Sequence, residues 1–195
     1  MSAVKVLAIP GSLRAGSLNR KLLALAITEA KRLGAEVEVF DLKEVALPIY
    51  DGDVEAMGAP AGALDFKERI SRAQGLLFAT PQYNHGVPGG LKNAIDWASR
   101  PLPPLNGQPH PHSRPFAGKL AALMGASPSL GATAYGQLAL REVLNVLSVW
   151  TMPGELQLAQ AYEAFDARGQ LKAEPRRKDL AGFIERFIEE LKRRG

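Results

Sequence analysis

Residues 3–9, "AVKVLAI", run directly into residues 10–19, "PGSLRAGSLN". The first stretch is a short continuous apolar run, the pattern of a central parallel strand buried on both faces. The second combines Gly11 and Gly16 with Ser12, Arg14, Ser17 and Asn19, and reads as a polar turn. Helical spacing starts immediately after it, through Leu22, Leu23, Ala26, Ile27, Ala30 and Leu33, with Gly34 as the stop.

The same alternation repeats along the chain. Residues 35–40 ("AEVEVF") alternate like a strand, 63–73 read as a helix, and 75–80 ("GLLFAT") form a third strand. Helical spacing returns over 87–99 through Leu91, Ala94, Ile95 and Ala98. Residues 118–127 predict a fourth strand, 132–150 a long helix that is apolar nearly all round, and 154–160 a fifth strand. The clearest helix is the last, with Leu180, Phe183, Ile184, Phe187, Ile188 and Leu191 on one face. The expected fold is α/β, an open five-stranded parallel sheet with helices on both faces, in one domain over residues 1–195.

Two stretches depart from the pattern. Residues 41–62, "DLKEVALPIYDGDVEAMGAPAG", form a long loop in which Asp51 and Asp53 read as turn residues. Residues 100–115, "RPLPPLNGQPHPHSRP", carry six of the fourteen prolines. Proline at that density forms neither helix nor central strand, so this segment is an ordered excursion or a mobile flap.

Composition narrows the function. There is no cysteine, which excludes disulfides, thiolate metal sites and cysteine nucleophiles. No apolar stretch approaches the roughly 18 residues of a membrane span, and no basic-then-apolar leader opens the chain, so a cytoplasmic protein is expected. Residues 176–194 hold seven Lys or Arg against four acids, +3 of the net +4. Basicity therefore belongs to one terminal helix face, and no nucleic-acid groove is expected. His110 and His112 flank Pro111 without further matched ligands, so no metal site is expected.

In open parallel sheets, ligands bind at the carboxyl ends of the strands. Three polar loops leave strands there, at 10–19, 80–88 and 125–131. In the first, Gly11 turns the chain and Ser17 is placed to cap the helix, whose free N–H groups and positive dipole end attract an anion. Ser12, Ser17 and Asn19 add neutral donors, and Arg14 a planar cationic fork. The same residues also fit plain capping with Arg14 on the surface. Neither G-x-G-x-x-G nor G-x-x-x-x-G-K-[ST] is present, so a terminal phosphate monoester, as in flavin mononucleotide (FMN), fits better than a dinucleotide or a nucleoside triphosphate. Residues 80–99, "TPQYNHGVPGGLKNAIDWAS", shape a second loop of exposed backbone groups. It suits either the hydrogen-bonding edge of a flavin ring partly covered by Tyr83, or a rigid turn with Tyr83 packed.

Together, G-S-x-R-x-x-S-x-N and T-P-x-Y-N-x-x-x-P-G-x-L-K-N-A-I-D-W resemble the NADPH-dependent FMN reductase family of flavodoxin-like proteins over residues 4 to 150. That family includes bacterial quinone, azo-dye and chromate reductases. The resemblance implies that Ser12, Arg14, Ser17 and Asn19 hold the FMN phosphate. It also implies that Pro81, Gln82, Tyr83 and Asn84 contact the ring and ribityl chain, with Ser127 in a third flavin-side loop. Gln82 and Gly86 stand where many members carry Glu and Ser. The implied reaction moves hydride from NADPH or NADH through FMN to a small acceptor such as a quinone, azo compound or metal oxyanion, with no catalytic side chain required. A homodimer or homotetramer is implied, with the 87–99 and 132–150 helices near the interface. Two other readings are a flavodoxin-type electron carrier and a non-enzymatic interaction module that uses the basic C-terminal helix.

Overall fold

The computed structural model describes residues 3–45 and 47–195; Met1, Ser2 and Ala46, which fall within the expected domain and the 41–62 loop, lie outside it. Five strand positions run in the order β2-β1-β3-β4-β5, all parallel. They are β1 (Lys5–Pro10), β2 (Glu36–Val39), β3 (Gly75–Ala79), β4 (Leu120–Ala126) and a split fifth position. That last position consists of β5 (Trp150–Thr151) on the start of β4 and β6 (Leu156–Leu158) on its end. The helices are α1 (Leu18–Arg32), α2 (Gly52–Ala56), α3 (Ala61–Arg72), α4 (Gly89–Ser99), α5 (Ala134–Val146) and α6 (Glu174–Arg194).

Strand alternation divides the core in two. Val6, Ala8, Leu77, Ala79, Ala122 and Met124 face α1 and α6. Leu7, Ile9, Leu76, Phe78, Ala121 and Leu123 face α3, α4 and α5, where Phe40 stacks on Phe66 at 4.2 Å. Both faces are covered, which is why the strands read as unbroken apolar runs. Lys67 of α3 is buried and donates to the carbonyls of Ala98 (2.8 Å) and Arg100, closing the C-terminal end of α4. Burial pushes its pKa down from 10.5 to about 8.

Three expectations need correction. The helix expected over 132–150 stops at Val146, and Ser148 takes a left-handed φ of 62°. Trp150 N–H then donates to Lys119 O, so the end of the expected helix enters strand at Trp150. Of the fifth strand expected over 154–160 only β6 (Leu156–Leu158) forms, while β5 (Trp150–Thr151) comes from residues expected at the end of the helix and just after it. Pro153, which has no N–H for the ladder, and Gly154 (φ 75°) separate the two. The 41–62 loop contains α2, which Asp51 caps by accepting from Asp53 N–H.

The proline-rich segment joins the end of α4 to the start of β4, so it lies at the amino ends of the strands. Its base is closed by Ser113 Oγ against both backbone groups of Leu102, and its tip is a Leu105–Gln108 turn with Asn106 and Gly107 in left-handed conformation. It is an excursion at the end of the sheet opposite the three polar loops.

Candidate functional site

Three loops leave the carboxyl ends of β1, β3 and β4 and touch one another. Gly11 N–H donates to Ala79 O, and Thr80 N–H donates to Met124 O. A Cβ on Gly11 would stand 2.6 Å from Thr80 Oγ1, and one on Gly125 would stand 2.0 Å from Thr133 Oγ1 and 2.6 Å from Thr80 O. Both positions must therefore be glycine for the loops to close this tightly. Between β1 and β3 the chain order reverses direction across the sheet, which is where such folds open a crevice.

The first loop has donors to spare. Ser17 caps α1, its Oγ accepting from Asn19 N–H and Arg20 N–H. Ser12 Oγ accepts from Arg14 N–H at 3.3 Å. Both hydroxyls are buried and used as acceptors, so each keeps its own hydrogen to donate. Among the described residues, the N–H groups of Leu13, Ala15, Gly16 and Leu18 meet no protein acceptor, and Arg14 has no carboxylate partner. No acid lies in the first turn of α1. This donor set, with a cation and without an anion, fits a phosphate.

The loop is braced from outside by residues that sequence reasoning passed over. Arg20 donates through Nε to Ser12 O (3.0 Å) and through both terminal nitrogens to Asp41 (2.5 Å each). The Arg20 guanidinium, with help from Lys43 N–H, holds the Asp41 carboxyl below the usual range. With its charge matched by Asp41, Arg20 acts as a strut, and Arg14 is the cation left for a ligand.

Asn19 also carries a tie between loops. Its amide is engaged on Ala126 at the end of β4, with Nδ2 donating to Ala126 O (2.9 Å) and Oδ1 accepting from Ala126 N–H (2.8 Å). It thus ties the first loop to the third. In that third loop Ser127 Oγ lies 3.0 Å from Ser129 Oγ and accepts from Ser129 N–H, an internal turn. The buried Gln137 amide meets Thr133 Oγ1 at 2.7 Å just beneath it.

In the second loop, Tyr83 and Gly86 exchange backbone hydrogen bonds (3.3 and 3.0 Å) around Asn84 (φ 50°) and His85 (φ 64°). This is a type I′ turn, whose two central residues are left-handed. Gln82 does not point free. Its Oε1 accepts from Gly136 N–H (3.0 Å), capping α5, whose own Thr133 supplies no side-chain cap. Tyr83 is half exposed, and His85 stacks on Tyr135 with ring centroids 4.3 Å apart. Pro81 O accepts from Thr80 Oγ1 at 3.0 Å.

The 2-1-3-4-5 strand order and the three converging loops define a flavodoxin-like α/β protein, the class that seats FMN at the β1/β3 switch point. The comparisons with known proteins narrow that class. The chain belongs to the NADPH-dependent FMN reductase family, which it matches over residues 4–163. An NAD(P)H-dependent FMN reductase of Pseudomonas aeruginosa is 43% identical over 169 residues, 86% of this chain and 84% of that protein. A 2-hydroxy-1,4-benzoquinone reductase of Burkholderia is 36% identical over 95% of this chain and 94% of its own. In three dimensions the chain resembles the flavoenzyme NAD(P)H:(acceptor) oxidoreductase of Paracoccus denitrificans, with TM-score 0.81, 34% identity and 98% of each chain covered. It is accordingly an FMN-dependent oxidoreductase that draws on NAD(P)H. No described helix is long and apolar enough to cross a membrane.

Proposed function

We propose that this protein seats FMN across its three loops and reduces a small planar acceptor, quinones foremost, at the expense of NAD(P)H. The phosphate is held at the start of α1 by Ser12, Arg14, Ser17 and the free N–H groups, while Asn19 fixes the first loop to the third. Pro81, Tyr83 and Asn84 present backbone and ring to the flavin, Gln82 holds their loop on α5, and Ser127 borders the far side. FMN, when bound, would supply the redox chemistry, a two-electron relay between NAD(P)H and the acceptor. The chain's own task is to bind, orient and expose the ring.

The observation that carries this reading is the pair of buried serine hydroxyls at a helix start, each accepting from backbone and left with a hydrogen to donate. The quinone preference is supported by the relatives, one of which is named for a benzoquinone. The test is direct. Purified protein should be yellow with bound oxidised FMN and should oxidise NAD(P)H when a quinone is added. Parallel double-reciprocal lines at several quinone concentrations are expected, because donor and acceptor take turns at one ring. A colourless protein that fails to take up FMN would refute the proposal. FMN bound without nicotinamide oxidation would favour an electron carrier instead.

Residues 1–195 act, in this reading, as one FMN-binding unit in the cytoplasm, where its NAD(P)H is supplied. A homodimer or homotetramer is supported by exposed apolar side chains on α5 (Leu138, Val146) and on the loop over α4 (Ile49, Met57). A strictly monomeric species in light scattering would exclude it. On α6, Lys178 pairs with Glu174, and Arg193 and Arg194 pair with Glu190, which supports a solvated face over a nucleic-acid surface.

A further inference from the structure

The geometry points to the stacked pair His85–Tyr135 as the platform that selects planar, electron-poor acceptors. The inference rests on the proposed seating of the flavin ring against the 80–88 loop.

Four observations converge on this pair. First, Asn84 (φ 50°) and His85 (φ 64°) are both left-handed, the two conformations a type I′ turn requires, so the turn carries these side chains at its tip. The turn is held in place from outside. Second, it is clamped at two points on the first turn of α5, by Gln82 Oε1 on Gly136 N–H and by the His85 ring on Tyr135, at 4.3 Å and 22° between planes. Third, the clamped rings are not core. Tyr135 is 58% exposed and Tyr83 51% exposed, with His85 exposed between them. Fourth, His85 belongs to the second loop and Tyr135 to the first turn of α5, directly after the third loop, so the pair joins the segments that leave the carboxyl ends of β3 and β4.

A hairpin that needed only anchoring would be served by the Gln82 hydrogen bond. What the His85 stack adds is a rigid aromatic step, held at a fixed height by α5, with ring surface left for another planar group. Quinones have electron-poor rings, and offset stacking on an electron-rich phenol favours them. The dihydronicotinamide of the donor is electron-rich and gains less from the same surface.

The test compares Tyr135→Leu with Tyr135→Phe in the FMN-loaded protein. Two acceptors are used: 1,4-benzoquinone, a planar electron-poor ring, and ferricyanide, which offers no ring to stack. Tyr135→Leu should raise the KM for benzoquinone about three- to tenfold relative to the KM for ferricyanide, the range expected for loss of one stacking partner. The kcat for benzoquinone should hold, and Tyr135→Phe should restore a parent-like KM. An unchanged benzoquinone KM in Tyr135→Leu would overturn the inference. So would an equal loss with both acceptors, since that is the mark of a merely structural clamp. A parent protein that binds no FMN would sink the proposed function and this inference together. FMN bound normally with no acceptor selectivity would sink this inference alone.

Discussion

Replacing Asn19 by alanine is the sharpest probe of how the site is assembled. The Asn19 amide makes two hydrogen bonds to one residue 107 positions away, Nδ2 to Ala126 O at 2.9 Å and Oδ1 from Ala126 N–H at 2.8 Å. Both residues are 3% exposed, so neither backbone group can turn to bulk water once the amide is gone. A stranded buried donor or acceptor costs about 1–3 kcal/mol, so two cost about 4 kcal/mol at mid-range. For a chain of this size, each kcal/mol moves Tm by about 2–4 °C, which gives a fall of about 8–16 °C in the apoprotein. FMN affinity should fall as well, because the same amide holds the first loop against the third. Asn19→Asp sharpens the test. A carboxylate can still accept from Ala126 N–H, but it sets a second oxygen against Ala126 O, and only the protonated acid restores the donor. Burial and that carbonyl raise its folded pKa above the unfolded value of about 3.9. The variant should therefore be most stable in acid and lose stability as pH rises through the folded pKa. Thermal unfolding followed by circular dichroism from pH 4 to 8, with FMN titration by fluorescence, measures all three effects. A Tm within about 2 °C of the parent for Asn19→Ala would show that the tie between loops is not structural.

Arg14→Ala should leave the apoprotein Tm unchanged and weaken FMN by about 1.5–3 kcal/mol, roughly 10- to 150-fold in Kd, with little effect on riboflavin, which lacks the phosphate; calorimetric titration of both ligands decides it. Gln82→Glu should keep the bond from Gly136 N–H and add a negative charge at the start of α5, worth about 0.3–1 kcal/mol in thermal unfolding. The same charge should lower the flavin midpoint potential in a spectroelectrochemical titration, since it opposes electrons added to the ring. The folded pKa of Lys67, near 8 against 10.5 unfolded, means the folded chain releases that proton first, so stability should climb from about pH 8 to 10.5. Urea unfolding across that range should show the rise, and Lys67→Met should flatten it.

Much of this molecule is written locally. Apolar runs at 3–9, 75–80 and 118–127 can only be strands covered on both sides, and helices between them force a parallel sheet with right-handed crossovers. The donors at the start of α1 are equally local. Ser12, Arg14 and Ser17 lie within six residues, and a capped helix start sets them around an anion wherever it is placed. Periodicity says nothing about partners far along the chain, and there the tertiary structure decided. Asn19 reads as a phosphate donor, and its tie to Ala126 comes into view only when β4 is laid beside α1. Gln82 reads as a flavin contact, and its hold on the N-terminus of α5, which lacks a side-chain cap of its own, comes only from the fold. Val149 and Trp150 are as apolar as the helix before them, and only the open edge of β4 turns the chain into strand from Trp150 onward. The proline-rich segment is legible as irregular from its composition, yet its position at the amino ends of the strands follows from the path of α4 down the sheet. His85 and Tyr135 are fifty residues apart, and what makes them a pair is the clamp of one tight turn on one helix end.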